Sequence, residues 1–309
     1  MPKDLLVEAH HKLSFEANVQ LATQRYGSKL RKYVTEKPCT GEGAVAANLI
    51  LPIRAVRDVG RRRSNIQTTA ERKRRWLVYR DPIAVGDYID NEDVFRQTGE
   101  PTSELIRNGS MAIGRGIDEC ILGINEDGTI GEGGILGTIV EGKRPGGAGI
   151  PLPPANVTAH GGLGLTIGKL RAARKRIGLS EVDLDRVTPV MAITQNQDDD
   201  LLGIVETGTA DLNQFEQPQL RDGKVTRLMG FEFVHINGLP VRGAIPNLIR
   251  SCPVWVPDDV ILGVWQDVKT GFWNDTSARN TPYWHIDAYM DCTRREDVGV
   301  HVIECVEAA

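Results

Sequence analysis

PTSELIRNGSMAIGRGIDECILG, Pro101 to Gly123, is the stretch on which the fold turns. Leu105, Ile113, Ile117 and Ile121 recur at multiples of four, an apolar stripe along one side of a helix. Pro101 suits the first turn, where a missing N–H costs nothing. The spacing predicts a helix from about residue 102 to 122, roughly 30 Å long at 1.5 Å per residue. Gly109, Gly114 and Gly116 interrupt it, each costing about 1 kcal/mol relative to alanine. Glycines kept at that cost imply close packing against a neighbouring element or a helix that must bend, and Gly109-Ser110 is a pair of the kind found at kinks.

Upstream, ANLILPIRAVRDVG (Ala47–Gly60) and RRWLVYRDPIAVGDYID (Arg74–Asp90) are rich in Val, Ile, Leu, Trp and Tyr and read as strands. The polar SNIQTTAERK between them makes the pair a long two-stranded ribbon with that linker as its tip. Such a ribbon is marginal alone in water and must lie on something. The preceding residues read as an arm: Phe15, Val19, Ala22 and Tyr26 share one helical face, and GSKLRKYVTEKPCTGEG is too polar for a core of its own.

Downstream, the run Gly123–Gly149 reads as a loop or short hairpin, flexible at Gly131–Gly137, and LTIGKLRAARKRIGLSE as a second helix with Leu165, Ile167, Leu170, Ala173 and Ile177 inward. VTPVMAIT is a buried-strand candidate, and DDDLLGIVE a short helix with its acids at the favourable N-terminal end. Further strands follow. In the last, Ile286, Ala288, Met290 and Cys292 alternate with Asp287, Tyr289 and Asp291, and Val298–Val306 continues the pattern. Helices early and strands late give an α+β class.

The chain has 309 residues, 40% hydrophobic and 25% charged, enough for a sizeable core. Its net charge of −4 is segregated: Arg54–Arg80 holds ten basic residues and two acids, which leaves the remainder at −12. A wholly nucleic-acid-directed protein is more often basic throughout. No run approaches the roughly 18 apolar residues of a membrane span, so no membrane partner is expected. No secretory signal is visible in the first twenty residues, and the five scattered cysteines form no CxxC pair, the usage of a reducing cytoplasm.

Catalytic motifs fail on inspection. In GGLGLTIGKL (Gly161–Leu170), a phosphate loop would need glycine at Leu163 and a hydroxyl residue at Leu170. GEGGILG misses a dinucleotide fingerprint because Leu136 stands where the third glycine belongs. The histidines at 10, 11, 160, 235, 285 and 301 have no metal-ligand spacing, and Asp198–Asp200 open a helix without needing a cation. No catalytic residue, cofactor or metal is expected. Four of five tryptophans fall between Trp255 and Trp284, which points to a core or a protein interface.

Several stretches resemble one family. FEANVQLATQRYGSKLRKYV resembles the opening arm of tailed-bacteriophage major capsid proteins of the podovirus-type branch, which have the Hong Kong 97 fold. DYIDNEDVFRQTGEPTSELIRNGSMAIGRGIDECIL resembles their passage from ribbon to spine helix, and IPLPPANVTAHGGLGLTIGKLRAA the stretch after it. MGFEFVHINGLPV and TRREDVGVHVIEC are similar to later strands. The resemblance implies an N-terminal arm at 1–46, an extended E-loop at 47–92, and a peripheral domain from 93–160 and 275–309. It implies an axial domain at 161–274. It further implies hexamers and pentamers of an icosahedral head shell around double-stranded DNA, bound without sequence specificity, and assembly in the host cytoplasm. The other partners it implies are a separate scaffolding protein, a portal and decoration or cement proteins. Arg61, Arg62, Arg63, Arg72, Lys73, Arg74, Arg75 and Trp76 would then lie across a neighbouring subunit, and Gly109, Gly114 and Gly116 would let the spine helix bend. Lys73 has no evident partner for a covalent crosslink, and none is expected. An encapsulin-like compartment is the alternative within the fold. A nucleic-acid-binding protein using Gly60–Arg80 is the alternative from another class.

Overall fold

The computed structural model describes residues 27–50, 72–88, 101–147, 149–180, 182–184, 186–208, 223–243, 248–277 and 280–307. The arm helix expected around residues 13–27 and most of the ribbon tip therefore lie outside the described residues.

In chain order the strands and helices are β1 (Thr35–Pro38), β2 (Gly43–Ile50), β3 (Arg72–Val78), β4 (Ile83–Tyr88), α1 (Pro101–Leu122), β5 (Ile139–Glu141), β6 (Gly149–Ile150) and β7 (Val157–Thr158). They continue with α2 (Ile167–Leu179), β8 (Val190–Ile193), α3 (Gln195–Gly208), β9 (Arg227–Leu228), β10 (Phe231–His235) and β11 (Val241–Arg242). The last four are β12 (Leu248–Trp255), β13 (Val260–Asp275), β14 (Thr281–Arg294) and β15 (Val300–Glu307). The class is α+β. Two compact units divide the chain, and α1, β13 and β14 contribute residues to both.

The first unit holds Asp81–Asp118 and Gln266–Met290. Ile113 and Ile117 are buried along the stripe read from the sequence, and Met111, off that stripe, is buried as well. β14 pairs antiparallel with β4 from Tyr283↔Tyr88 to Ala288↔Ile83 and turns Trp284, Ile286, Ala288 and Met290 inward. The three helix glycines sit where neighbours come closest. A Cβ on Gly109 would lie 2.6 Å from the Trp284 ring, one on Gly114 2.5 Å from the Gly27 backbone, and one on Gly116 2.5 Å from Ile83. α1 runs unbroken as a helix through all three, and each is closely packed in this form of the subunit. Tyr283 of the outer face carries the half-exposed Trp273 ring at 5.2 Å.

The second unit is built on a seven-stranded sheet in the order β7-β15-β12-β8-β10-β9, with β11 on β12. β8, all four residues buried, runs parallel to β10 and antiparallel to β12, as a central strand covered on both faces should. β12 and β15 pair from Leu248↔Glu307 to Trp255↔Val300. α2 turns Leu170, Ala173 and Ile177 into the core, and Trp255 is fully buried, its Nε1 donating to Tyr33 O at 2.9 Å.

Two expectations change, and two strand pairings were not foreseen. RRWLVYRDPIAVGDYID is two strands: Pro82 offers no N–H to a ladder, and β4 beyond it pairs with β14 rather than extending β3. Within the segment expected as an arm, β1 pairs parallel with β13 and Leu30 is fully buried. Within the closing segment 275–309, β15 pairs along its whole length with β12, of the residues expected to be axial, and parallel with β7, of those expected to be peripheral. The glycine-rich run ends in the expected short hairpin, β5 antiparallel to β6, but the part before it is no flexible loop. Gly123, Gly133 and Gly134 hold positive φ, Ile135 N and Leu136 N donate to the Ile121 and Leu122 carbonyls, and Ile135 is fully buried beneath them. It folds back to cap the last turn of α1, which needs the left-handed angles that glycine tolerates.

Candidate assembly ribbon and its anchorage

β2 and β3 form the expected ribbon, antiparallel from Gly43↔Val78 to Ile50↔Arg72, with a register shift between Val45 and Ala47. β5 and β6 extend this sheet to four strands. The root of the ribbon is apolar: Leu77 and Ala46 pack with Cys39 and Ile261. Toward the far end the ribbon is exposed, and Ile50 is 64% accessible. Beyond Ile50 and Arg72 the tip, with Arg61, Arg62 and Arg63, lies outside the described residues.

Arg75 does not face outward. It is 3% exposed and grips Asp297 with both terminal nitrogens, Nη2–Oδ2 2.6 Å and Nη1–Oδ1 3.2 Å. Its Nε donates to Glu141 Oε2 at 3.3 Å. Asp297 also accepts from Arg294 Nε at 3.0 Å, and Arg294 Nη1 donates to the carbonyls of Ile135 and Gly137. Burial lowers the Arg294 pKa, and Asp297 works against that shift. One carboxylate thus ties the ribbon, the segment after β14 and the glycine-rich turn together by charge-assisted bonds.

A second anchor lies at the foot of β3. Arg80 Nε donates to Asp291 Oδ1 at 2.8 Å and its Nη1 to Glu132 Oε2 at 2.6 Å, while Val78 N donates to Asp291 Oδ2 at 2.8 Å. Burial raises the Asp291 carboxyl above its ordinary value, and the Arg80 charge opposes the rise.

The remaining ribbon residues named from sequence divide by strand face. Trp76 is half-buried and donates from Nε1 to Gly142 O at 2.9 Å. Arg74 is exposed, bonds Asn48 Oδ1 at 2.7 Å and lies 5.6 Å from the Trp76 ring centre. Lys73 is exposed beside a cleft of about 510 Å³ that Asn48, Ile50, Arg74 and Lys143 also line. Arg72 is placed only by its strand register opposite Ile50. The expectation that Arg75 contacts a neighbour is therefore corrected: its guanidinium is saturated inside its own chain. Sequence reasoning missed Asp297, Asp291, Glu141 and Glu132. The signal for Arg75 was strand parity, since it shares a face with the buried Leu77 two residues on.

The failed phosphate loop has a structural explanation. Lys169 Nζ donates to the carbonyls of Leu163 at 2.7 Å, Gly164 at 2.7 Å and Glu304 at 2.9 Å. The ammonium is already surrounded by oxygen and stitches the loop before α2 to β15. Thr166 caps α2 by accepting from Lys169 N. Of the aspartate run, Asp198 accepts from Val225 N and Asp200 from Leu165 N, both holding loops. Among the described residues no three His, Cys, Asp or Glu side chains are grouped to hold a metal ion. No helix of the described residues is long and apolar enough to cross a membrane.

Set against profiles of protein families, residues 7–307 match the one described as phage capsid protein. The chain belongs to that family. Compared with curated proteins, this phage capsid protein finds no match in sequence. Solved phage shells match its fold over almost its whole length. The capsid of a native GTA particle aligns with a TM-score of 0.66 at 11% identity, covering 94% of this chain and 94% of that one. The capsid of cyanophage P-SCSP1u gives 0.64 at 13% identity over 94% and 92%. The mature capsid of bacteriophage PhiM1 gives 0.60 at 10% identity over 94% and 90%. The α+β architecture is the Hong Kong 97-like fold expected from the sequence.

Proposed function

We propose that this phage capsid protein is the major capsid protein of a tailed phage. Its copies assemble through hexamers and pentamers into the icosahedral head shell that encloses the double-stranded DNA genome, in the host cytoplasm. The observation that carries the reading is family membership over residues 7–307 together with a ribbon rooted inside its own subunit. Lys73, Arg74 and Ile50 at the far end of that ribbon are left exposed, which supports a partner surface supplied by the next copy. A contact of that kind is heterologous and closes around rings, so a small gain per copy is repeated throughout a shell.

In this reading residues 1–46 are the arm, 47–92 the E-loop, and α1 the spine of the peripheral domain. β15 joins the axial sheet of which it is a strand. Arg61–Arg63, Lys73 and Arg74 meet acidic surface on the neighbour, and Gly109, Gly114 and Gly116 let α1 bend as the shell changes form. A separate scaffolding protein and a portal complete the assembly. Electron microscopy of the purified protein tests the core of the proposal: closed shells are expected, and a protein that stays monomeric at high concentration would overturn it. Shells that enclose cargo enzymes instead of DNA would turn the reading toward an encapsulin-like compartment.

A further inference from the structure

Two arginines of the ribbon that resembles a nucleic-acid segment are engaged within the chain, Arg75 with Asp297 and Arg80 with Asp291 and Glu132, while Lys73 and Arg74 stay exposed. Cations without such partners lie on α2. The run Arg171-Ala172-Ala173-Arg174-Lys175-Arg176 holds four cations, and the helix Ile167–Leu179 contains no acid. Ala173 and Ile177 face the core, and Arg174 Nη1 donates to Met229 O at 2.6 Å. Arg171, Lys175 and Arg176 remain exposed, and no described carboxylate stands within ion-pair distance of them. Arg171 and Lys175 are one turn apart on one face, about 6 Å along the axis at 1.5 Å per residue. Like charges so placed weaken a helix, so the face gains stability when an anion neutralises it.

We infer that this face of α2 binds the phosphate backbone of double-stranded DNA. The inference rests on the shell reading, which supplies the polyanion. Three features favour DNA over an acidic protein. The cations are exposed side chains of one short helix, whereas a stable protein interface needs complementary surface of about 1,000 Å². The large exposed apolar residues of the helix, Ile167 and Leu179, lie at its two ends, and only the small Ala172 is exposed among the cations. DNA offers one charge per roughly 1.7 Å of its axis, so a short row of flexible cations finds phosphates in any register.

Three phosphate contacts give a salt slope of about 0.9 per contact, near 2.7, so affinity falls about 40-fold between roughly 50 and 200 mM salt. Contacts that weak leave an enclosed genome free to move. The test uses unassembled full-chain subunits, a short random-sequence duplex and fluorescence anisotropy across that salt range. The wild type should show the slope, and R171Q/K175Q/R176Q should lose it. K73Q/R74Q and the charge-keeping R171K/R176K should retain it. Should the triple variant fail to fold by circular dichroism, K175Q alone should lower the slope by about 0.9. A wild-type slope near zero, an unchanged slope in the variants, or unchanged DNA affinity with loss of a co-assembling acidic protein would each overturn the inference. Sedimentation of the same preparations separates the two readings. Normal shells with an unchanged slope defeat only the DNA contact, whereas absence of shells from the wild type defeats the shell.

Discussion

Replacing Arg75 with methionine keeps much of the apolar stem and removes the guanidinium, its charge and its hydrogen bonds together. Arg75 is 3% exposed, and its guanidinium satisfies Asp297 bidentately and Glu141 besides. Breaking a buried pair by deleting one partner typically costs about 3–5 kcal/mol, because the other charge is left uncompensated. Asp297 keeps Arg294, at 3.0 Å, and is itself partly accessible, so the cost belongs at the lower end, about 3 kcal/mol. Urea denaturation of the unassembled subunit should read that loss. R75M/D297L, which removes both charges, should recover part of it, as cycles on coupled pairs do. Lys73→Gln is the contrast: an exposed side chain with a stability effect within about 0.5 kcal/mol, yet with a reduced yield of shells. The assay is then run twice, as denaturation midpoint and as sedimentation of shells. If R75M loses less than about 1 kcal/mol and assembles like wild type, the anchorage argument is wrong.

Three further outcomes are expected. Gly109→Ala drives a Cβ into Trp284 and should lower the thermal midpoint even though alanine favours the isolated helix by about 1 kcal/mol; a raised midpoint would remove the packing argument, and normal shell expansion the bending one. Burial, with the Arg176 charge adding to it, holds His301 down at about 4, below its ordinary 6.5, so its neutral form favours the fold and stability is lost as pH falls through that interval. Burial raises Asp259 from 3.8 to about 6, with the Glu296 charge adding, so the stability of its protonated form is lost as pH rises through that interval. The two slopes oppose, and denaturation midpoints from pH 4 to 6.5 should rise with pH in D259N and fall with pH in H301Q. Lys169→Met strips a donor from three carbonyls and should cost about 3 kcal/mol, read by urea denaturation, with no change in nucleotide binding.

The spine helix was legible in the sequence because Ile113, Ile117 and Ile121 repeat at a period that only a helix turns to one side. The ribbon was legible because β-branched and aromatic runs flank a polar linker. Its charges were not. Arg74 and Arg75 are neighbours of identical type, yet one is exposed and the other saturated, because successive strand residues point to opposite faces and Asp297 waits on only one of them. Lys169 reads as a broken phosphate motif because one of its acceptors, Glu304 O, is 135 positions away. The glycine-rich turn misled for the opposite reason: high glycine content suggests looseness, but Gly123, Gly133 and Gly134 are there for backbone angles that let the chain pack tightly.

Asp297 follows Arg75 by 222 positions in the chain. At about 5–20 residues per second, a ribosome delivers it roughly 10–45 s after the arginine. Through that interval the ribbon has neither its carboxylate clamp nor Ile261 to pack on, so a nascent chain cannot offer a correctly aimed ribbon to other copies. Synthesis order itself becomes a safeguard: the ribbon proposed to bind neighbours is locked in place among the last events of translation. Moving the Asp297 segment ahead of the ribbon by circular permutation would abolish that delay.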